Sequence, residues 1–209
     1  MLKKLTGLGM LGVLFYAAHV VLGGVLWQGY SHLQQPISDL TASGAPQRDL
    51  LSVFTWIYGV LCIAFALVAY LYTRRRVPRL ASAGLLVFLA MHLVSISYGF
   101  FPQDLPGAPV TFVGTMHMVV TAAIVPLTIL SPLLIGFGLR RVDGLRRFAV
   151  YSILTGFFIF LAGGTTAVFF ANHWPFFGLV ERINIGALQV WTFALSWLLF
   201  RGDRLPQAR

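Results

Sequence analysis

Six long apolar stretches alternate with short polar segments along the 209-residue chain. Each stretch is close to or above the roughly 20 residues that a helix needs to cross a hydrocarbon core of about 30 Å. Helices are expected because each one satisfies its own backbone hydrogen bonds in lipid, and the sequence does not show the short alternating segments typical of a β-barrel. The pattern predicts helices at about 5–27, 50–72, 80–101, 114–139, 148–170 and 183–200.

The composition supports a membrane protein. Hydrophobic residues make up 58% of the chain and charged residues only 10%, whereas about a quarter of a typical soluble domain is charged. The connections between the apolar stretches are too short for a separate soluble domain. We therefore predict an all-α integral membrane protein, with one six-helix transmembrane domain over residues 1–209 and an uncleaved first helix. Cys62 stands alone, which predicts neither a disulfide nor a thiolate metal site.

The charges give the expected orientation. Arg48 and Arg182 are the two basic residues outside one set of alternate connections, and the other thirteen lie within it: Lys3, Lys4, Arg74, Arg75, Arg76, Arg79, Arg140, Arg141, Arg146, Arg147, Arg201, Arg204 and Arg209. Basic residues accumulate on the cytoplasmic side, so we predict cytoplasmic termini and three hairpins that open outward from a bacterial inner membrane. The net charge of +9 thus predicts contact with membrane lipids and no nucleic-acid partner.

Polar groups concentrate on the opposite side. All five histidines and four of the six carboxylates belong to the outer half or the outer connections of this arrangement. Ionisable groups inside a membrane are costly and usually face a cavity or a partner. We predict one shared pocket in the outer half, with helix-borne ligand-binding candidates His19, His92 and Gln189. The alternative for each helix is ordinary packing, in which small residues let a hydroxyl or imidazole bond across to a neighbour.

Three outer segments carry the remaining candidates. The segment Tyr30–Leu40 contains Ser38 and Asp39, Phe101–Asp104 precedes His117 by thirteen residues, and Gly178–Ile183 contains Glu181 and Arg182. Structural alternatives remain open for these residues. Ser38 or Asp39 could cap a turn or short helix, and Asp104 could belong to a turn beside proline. Glu181 could stabilise the N-terminus of a helix through its negative charge. Arg182 lies on the side that disfavours positive charge, so we expect it to pair with a carboxylate or to bind an anion.

These same segments resemble a known family. Ser-His-Leu-x-x-Pro-Ile-Ser-Asp-Leu (31–40), Phe-Pro-x-Asp (101–104) followed by His117, and Gly-Leu-x-Glu-Arg-Ile (178–183) are similar to the multi-pass bacterial membrane family catalogued as domain of unknown function 998. The resemblance covers nearly the whole chain in the same order. It implies a six-helix integral membrane fold and directs attention to Ser38, Asp39, Asp104, His117, Glu181 and Arg182. It implies no particular activity.

Two functional hypotheses follow from the residues. In the first, His117, Asp104 and Asp39 hold a divalent metal such as zinc, whose bound water attacks a lipid or lipid-linked substrate. Asp39, Asp104, His117 and Glu181 are then the catalytic candidates, and Arg182 and Ser38 bind the substrate. In the second, the pocket binds or transports a lipid or small solute without catalysis. A haem ligated by two of the histidines, and a scaffold role, are less favoured alternatives.

Overall fold

The computed structural model describes residues 2–202 and 205, and this part of the chain is helical. Two short 3₁₀ helices, Ile37–Thr41 and Ile96–Gly99, lie in or beside connections, and Ser43 and Asp104 form an isolated β-bridge. The α-helices are α1 (Leu2–Leu5), α2 (Leu8–Leu26), α3 (Arg48–Thr73), α4 (Arg79–Ser95), α5 (Phe112–Leu139), α6 (Arg146–Ala171) and α7 (Phe177–Arg201).

Six helical segments of the described chain are long and apolar enough to cross a membrane, which confirms the predicted all-helical, six-span architecture. The first segment comprises α1 and α2, and the third comprises α4 and the 3₁₀ turn after it. The predicted start of the last helix at residue 183 is wrong, because α7 begins at Phe177. Its first turns carry Glu181 and Arg182, whose charges ended the apolar stretch in the sequence without ending the helix.

Consecutive helices pack against one another, and α2 also packs on α7, which closes the bundle. The apolar core contains Phe65, Phe88, Trp191 and Leu195. Small residues bring some helices very close together. A Cβ atom at Gly138 of α5 would collide with the backbone nitrogen of Ala81 in α4. Such close backbone approach is typical of helices that pack within a membrane.

The bundle has two chemically different ends. At one end the three longer connections meet: the N–H of Ser43 donates to the carbonyl of Gln103 (2.8 Å), and the N–H of Leu179 donates to the carbonyl of Leu33 (3.0 Å). We call this the long-loop end. At the other, the arginine end, a Cβ atom at Gly202 would lie 2.8 Å from Cε of Lys3. The connections 74–78 and 140–145 also belong to the arginine end.

Candidate functional site

The first long loop folds down onto the bundle as an ordered cap. Its 3₁₀ helix buries Ile37, Asp39 and Leu40. The Leu40 side chain packs directly on α2, where a Cβ atom at Gly23 would lie 2.8 Å from Leu40 Cδ1. A glycine at that position of α2 therefore lets the loop approach the helix backbone. This loop brings the sequence-predicted residues Ser38 and Asp39 to the same end of the bundle as Glu181 and Arg182.

Glu181 and Arg182 hold this loop from α7. Glu181 Oε2 accepts a 2.6 Å hydrogen bond from the backbone N–H of Ile37. Arg182 Nη1 donates to the carbonyls of Gln35 (2.8 Å) and Gly178 (2.9 Å), and Nη2 donates to the hydroxyl of Tyr30. The expected ion pair of Arg182 is therefore absent from the described residues, because its guanidinium hydrogen bonds go to carbonyls and a hydroxyl.

Tyr30 bonds both Arg182 of α7 and the backbone of the first long loop. Its hydroxyl donates to the carbonyl of Pro36 at 2.7 Å, and its ring lies beneath the Arg182 guanidinium, 5.6 Å from the ring centroid. Burial raises the pKa of Tyr30 to about 12, although the nearby Arg182 acts in the opposite direction. The hydroxyl thus keeps its proton at neutral pH and remains a donor. The Tyr30 hydroxyl therefore accepts from Arg182 and donates to the carbonyl of Pro36, and these two hydrogen bonds anchor the loop.

Asp39 is bonded on one oxygen only. Its Oδ1 accepts from Gln103 Nε2 at 2.6 Å, and Ser38 Oγ donates to the Oε1 of the same glutamine at 2.7 Å. Asp39 is fully buried, and its Oδ2 has no hydrogen-bond partner in the described chain. Burial raises the pKa of Asp39 to about 6, and the nearby side chains of Gln35 and Gln103 and the charge of Arg182 oppose the rise.

Asp104 and His117 have local roles. Both carboxylate oxygens of Asp104 bind Thr111, one at the backbone N–H (2.8 Å) and one at the hydroxyl (2.9 Å). Thr111 in turn caps α5 by accepting from the N–H of Gly114 (3.0 Å). His117 Nδ1 bonds the carbonyl of Phe101 at 2.9 Å. These contacts match the structural alternative for Asp104, because its side chain organises the turn before α5.

The three predicted metal ligands are not gathered into one group. Asp39 bonds Gln103, Asp104 bonds Thr111, and His117 bonds a backbone carbonyl. Across residues 2–202, no set of three or more His, Cys, Asp or Glu side chains is arranged to hold a metal ion. The carboxylates and the imidazole predicted to be catalytic therefore serve, in this geometry, as hydrogen-bonding partners that hold loops in place.

A second set of residues lies deeper in the bundle and forms what we call the buried polar cluster: Tyr16, His19, Tyr58, His92 and Gln189. The rings form a continuous series, with centroid distances of 5.8 Å (His19 to Tyr16), 5.0 Å (Tyr16 to Tyr58) and 6.0 Å (Tyr58 to His92). Gln189 Nε2 donates to the Tyr58 hydroxyl at 2.9 Å. Four different helices, α2, α3, α4 and α7, thus contribute to one cluster.

The cluster contains buried polar atoms without partners. His19 and His92 are 2% and 1% exposed, and neither ring nitrogen of either residue has a hydrogen-bond partner among the described residues. The same holds for Oε1 of Gln189, which is also buried. With a rise of about 1.5 Å per residue, His19 lies about 10 Å and Gln189 about 18 Å from the long-loop ends of their helices. The cluster therefore extends from the half of the bundle below the cap to its middle, where Gln189 lies at the centre of α7.

Arg182 lies between the loop contact and the cluster. Its guanidinium is close enough to His19 and Tyr16, as well as to Asp39, for electrostatic interaction. The remaining two histidines lie outside the cluster: His32 is exposed and has its ring edge-on to Tyr30 at 5.2 Å, and His173 is exposed in the connection before α7. Burial, followed by the charge of Arg182, lowers the pKa of His32.

Some of the participating residues were not among the sequence-based candidates. Gln103 occupies the variable position of Phe-Pro-x-Asp, and it reaches Asp39 where Asp104 does not. Tyr58 lies in a largely apolar helix, where Thr55 is its only polar neighbour within one turn before it, and this gives little periodic signal. Tyr16 shares a helix face with His19, and that spacing was the available signal. The interhelical bond from Gln189 identifies Tyr58 only once α3 and α7 are placed together.

The helices and the ordered loop together identify the class of protein. Six membrane-length helices, closed at one end by an ordered loop above buried polar groups, are the features of a multi-pass membrane protein. The model of the family described as "Protein of unknown function (DUF998)" matches residues 10–198, so the chain belongs to that family, in agreement with the resemblance seen in the sequence. Comparisons with curated proteins and with solved structures give no match.

Proposed function

We propose that this protein binds a small hydrogen-bonding molecule, or the polar headgroup of a lipid, in the buried polar cluster without transforming it. The observation that carries the proposal is the set of unpartnered buried atoms on His19, His92 and Gln189. An unsatisfied buried donor or acceptor costs about 1–3 kcal/mol. Helix packing alone would be expected to place each imidazole against a hydroxyl or carbonyl. The polar atoms of a ligand would satisfy several of these groups at once.

A binding function fits the geometry better than the metal-dependent hydrolysis considered from the sequence. The proposed metal ligands Asp39, Asp104 and His117 each have a different protein partner. Glu181, the fourth catalytic candidate, bonds the backbone of the cap. A general acid or base must be within hydrogen-bond reach of a reacting group, and these side chains are committed to holding the cap and the turn before α5.

The proposal includes an orientation. The long-loop end faces the outside of a bacterial inner membrane, the helices form three hairpins that open outward, and both termini are cytoplasmic. The support is the concentration of Lys and Arg at the arginine end, as basic residues are retained on the cytoplasmic side. In this orientation the ligand reaches the cluster from the outer side, past the first long loop. Lipids of the outer leaflet and external solutes are both available there.

Co-purification tests the proposal. We would purify the wild type and a His19→Phe/His92→Phe variant in mild detergent, extract each sample, and identify bound small molecules by mass spectrometry and bound metals by elemental analysis. Phenylalanine keeps a ring in the bundle while removing the ring nitrogens. We expect a compound near one equivalent in the wild type and less than about one-tenth of that in the variant.

The matched control is His173→Asn, which removes an exposed histidine whose backbone has φ of 52°, a conformation that Asn tolerates. This control should retain the compound. Equal retention by the double variant, or a wild type that carries no compound, would overturn the proposal. Stoichiometric zinc that disappears in His117→Ala would instead support the metal-dependent enzyme.

A further inference from the structure

We infer that the ligand of the buried polar cluster is neutral and carries hydroxyl or amide groups, as in a polyol or the hydroxyl headgroup of an uncharged lipid. This inference rests on the proposed binding function and adds the chemical class of the molecule. It depends on three observations about the cluster: the balance of free donors and acceptors, the charges around it, and the aromatic rings that surround it.

The free donors and acceptors are nearly equal in number. A neutral imidazole has one N–H donor and one acceptor nitrogen, so His19 and His92 together offer two of each. Gln189 Oε1 adds a third acceptor. In the neighbouring contact of the cap, Asp39 Oδ2 is a further free acceptor and Arg182 Nε a further free donor; all these atoms are buried and unpartnered within the described chain. A hydroxyl group both donates and accepts, so a molecule with several hydroxyls, or with an amide, matches this set.

A charged ligand matches it poorly. A phosphate or carboxylate only accepts, so it would leave the four acceptors unpaired and would meet the carboxylates of Asp39 and Glu181. An ammonium group only donates, so it would leave the imidazole N–H groups unpaired and would meet the guanidinium of Arg182. A buried charge without a bonded partner is strongly unfavourable. The charged groups next to the cluster come from the cap and from α7, and they are of both signs.

The titratable groups in and around the cluster come from six elements, and they include charges of both signs. They are Asp39 from the first 3₁₀ helix, Tyr16 and His19 from α2, Tyr58 and Cys62 from α3, His92 from α4, Tyr98 from the second 3₁₀ helix, and Glu181 and Arg182 from α7. One cation opposes two carboxylates, of which Asp39 has a pKa raised to about 6 by burial. The surroundings therefore select a ligand by hydrogen bonding more than by charge.

Aromatic rings complete the lining of the cluster. The ring of Phe88 lies edge-on to His92 at 4.6 Å and to Trp191 at 5.5 Å, and Tyr16 and Tyr58 pack against each other. The C–H surface of a polyol or glyceride can lie against such rings while its hydroxyls reach the imidazoles. Burial of carbon surface contributes roughly 25 cal/mol per Å². This combination of apolar rings and balanced polar atoms is typical of a small-molecule site.

The test compares neutral and charged molecules of similar size. Full-length protein would be prepared in an amine-oxide detergent without glycerol, because a sugar detergent would itself supply hydroxyls. The soluble probes are glycerol, glycerol 3-phosphate and choline; the lipid probes are 1-monooleoylglycerol and oleate. Binding is measured by native mass spectrometry and by the shift in the unfolding temperature. We expect a neutral probe to bind at least about tenfold more tightly than its charged counterparts.

The two neutral probes identify the source of the headgroup. Stronger binding of glycerol points to a free polyol, and stronger binding of 1-monooleoylglycerol points to a neutral lipid. Gln189→Leu, which removes the free acceptor together with the donor to the Tyr58 hydroxyl, should weaken the preferred probe at least about tenfold, while His173→Asn should not change it. A tenfold difference corresponds to about 1.4 kcal/mol, which is within the cost of leaving one buried group unpaired.

The outcomes separate this inference from the proposed function. Preferential binding of glycerol 3-phosphate, oleate or choline, with loss in Gln189→Leu, would overturn the neutral class while keeping a binding function. A charged compound recovered from the purified wild type would do the same. If no probe binds and the wild type carries no compound, both the class and the binding function are wrong, and the cluster holds water alone.

Discussion

Glu181 Oε2 accepts a 2.6 Å hydrogen bond from the backbone N–H of Ile37, which lies 144 positions earlier in the chain. This bond ties the last helix to the first long loop. It also leaves the following residue, Arg182, positioned to donate to Gln35 and Tyr30 of the same loop. Two adjacent charged residues of opposite sign thus hold the cap, and they bond its backbone and hydroxyl groups instead of each other.

Removing the Glu181 carboxylate should loosen the cap. A hydrogen bond to a charged group contributes about 1.5–3 kcal/mol, so Glu181→Ala should lower the free energy of unfolding by about that amount. It should also speed proteolysis within residues 28–47. Glu181→Gln should lose less, because an amide oxygen still accepts from Ile37. Denaturation in detergent and limited proteolysis measure the two effects.

The control for this variant is Asp49→Asn, at an exposed carboxylate near the start of α3. It should leave the proteolysis rate unchanged and alter stability by less than about 1 kcal/mol. An unchanged cleavage rate in Glu181→Ala would show that the cap is held without this bond.

Arg182 and Tyr30 should be energetically coupled. The guanidinium bonds the Tyr30 hydroxyl and lies over its ring, so each single replacement removes part of a shared interaction. We expect Arg182→Met to destabilise the fold by more than Tyr30→Phe. The double variant should lose about 0.5–3 kcal/mol less than the sum of the two. Additive losses in this cycle would contradict a direct interaction. Arg182→Lys keeps the positive charge but cannot bond the same three acceptors, so a loss of stability in this variant would show that the planar geometry of the guanidinium is required.

The sequence predicted the six spans because long apolar segments in lipid have few alternatives to a helix. It also identified Asp39, Glu181 and Arg182 as positions of interest: Glu181 and Arg182 bond the cap from α7, and Asp39 bonds Gln103 of the second long connection. The hydrogen-bond partners of these residues could not be predicted. Ile37 contributes a backbone N–H and Gln35 a backbone carbonyl, and every residue other than proline has both groups, so the residue type gives no indication of these bonds.

The predicted convergence of the helix-borne histidines is a similar case. His19 and His92 belong to one series of rings in which Tyr16 and Tyr58 lie between them, while His117 bonds Phe101 in a separate set of contacts. Spacing along one helix gives the face on which a side chain lies. It does not give the rotation of that helix within the bundle, and this rotation decides whether two faces meet.

Asp39 should give the protein a pH-dependent stability. Burial raises its pKa from 3.8 to about 6, so the folded state binds the proton more tightly than the unfolded state does. The contribution of Asp39 to stability should therefore be greatest below about pH 4, fall as the pH rises from about 4 to about 6, and level off above that range. Asp39→Asn should lack this component, so the difference between wild type and variant isolates it from Glu181 and the histidines.

Chemical denaturation of both proteins between pH 4 and 8 provides the measurement. The amide introduced by Asp39→Asn would still offer an oxygen to Gln103, so at pH 7.5 the variant should be at least as stable as the wild type. Parallel pH profiles for the two proteins would show that Asp39 is not the group responsible. A wild type that gains stability relative to Asp39→Asn as the pH rises would contradict a raised pKa of Asp39.

The orientation can be measured by cysteine labelling. In a Cys62→Ala background, which removes the buried native thiol, Ala108→Cys places a thiol at the long-loop end and Asp143→Cys places one at the arginine end. Both positions are exposed. A membrane-impermeant maleimide added to intact cells should label residue 108 and leave residue 143 unlabelled until the membrane is opened. The reverse pattern would overturn the proposed orientation.

Substitutions at Gly114 and Asp104 should have non-additive effects on the free energy of unfolding. A Cβ atom at Gly114 would collide with Asp104 Oδ2, so Gly114→Ala must displace the carboxylate that bonds Thr111. We expect this variant to lower the free energy of unfolding by about 1–3 kcal/mol. Asp104→Ala should cost a similar amount, because it removes the same bonds.

The double variant should cost little more than either single one, since the smaller side chain at 104 removes the clash. Gly164→Ala is the matched control: it adds the same methyl group to α6 where no atom lies within 4 Å, and it should leave the free energy of unfolding unchanged or raise it by up to about 1 kcal/mol, because Ala favours a helix over Gly. Fully additive losses at 104 and 114, measured by denaturation in detergent, would show that the two residues act separately. In that case the turn before α5 would be organised by contacts other than the carboxylate of Asp104.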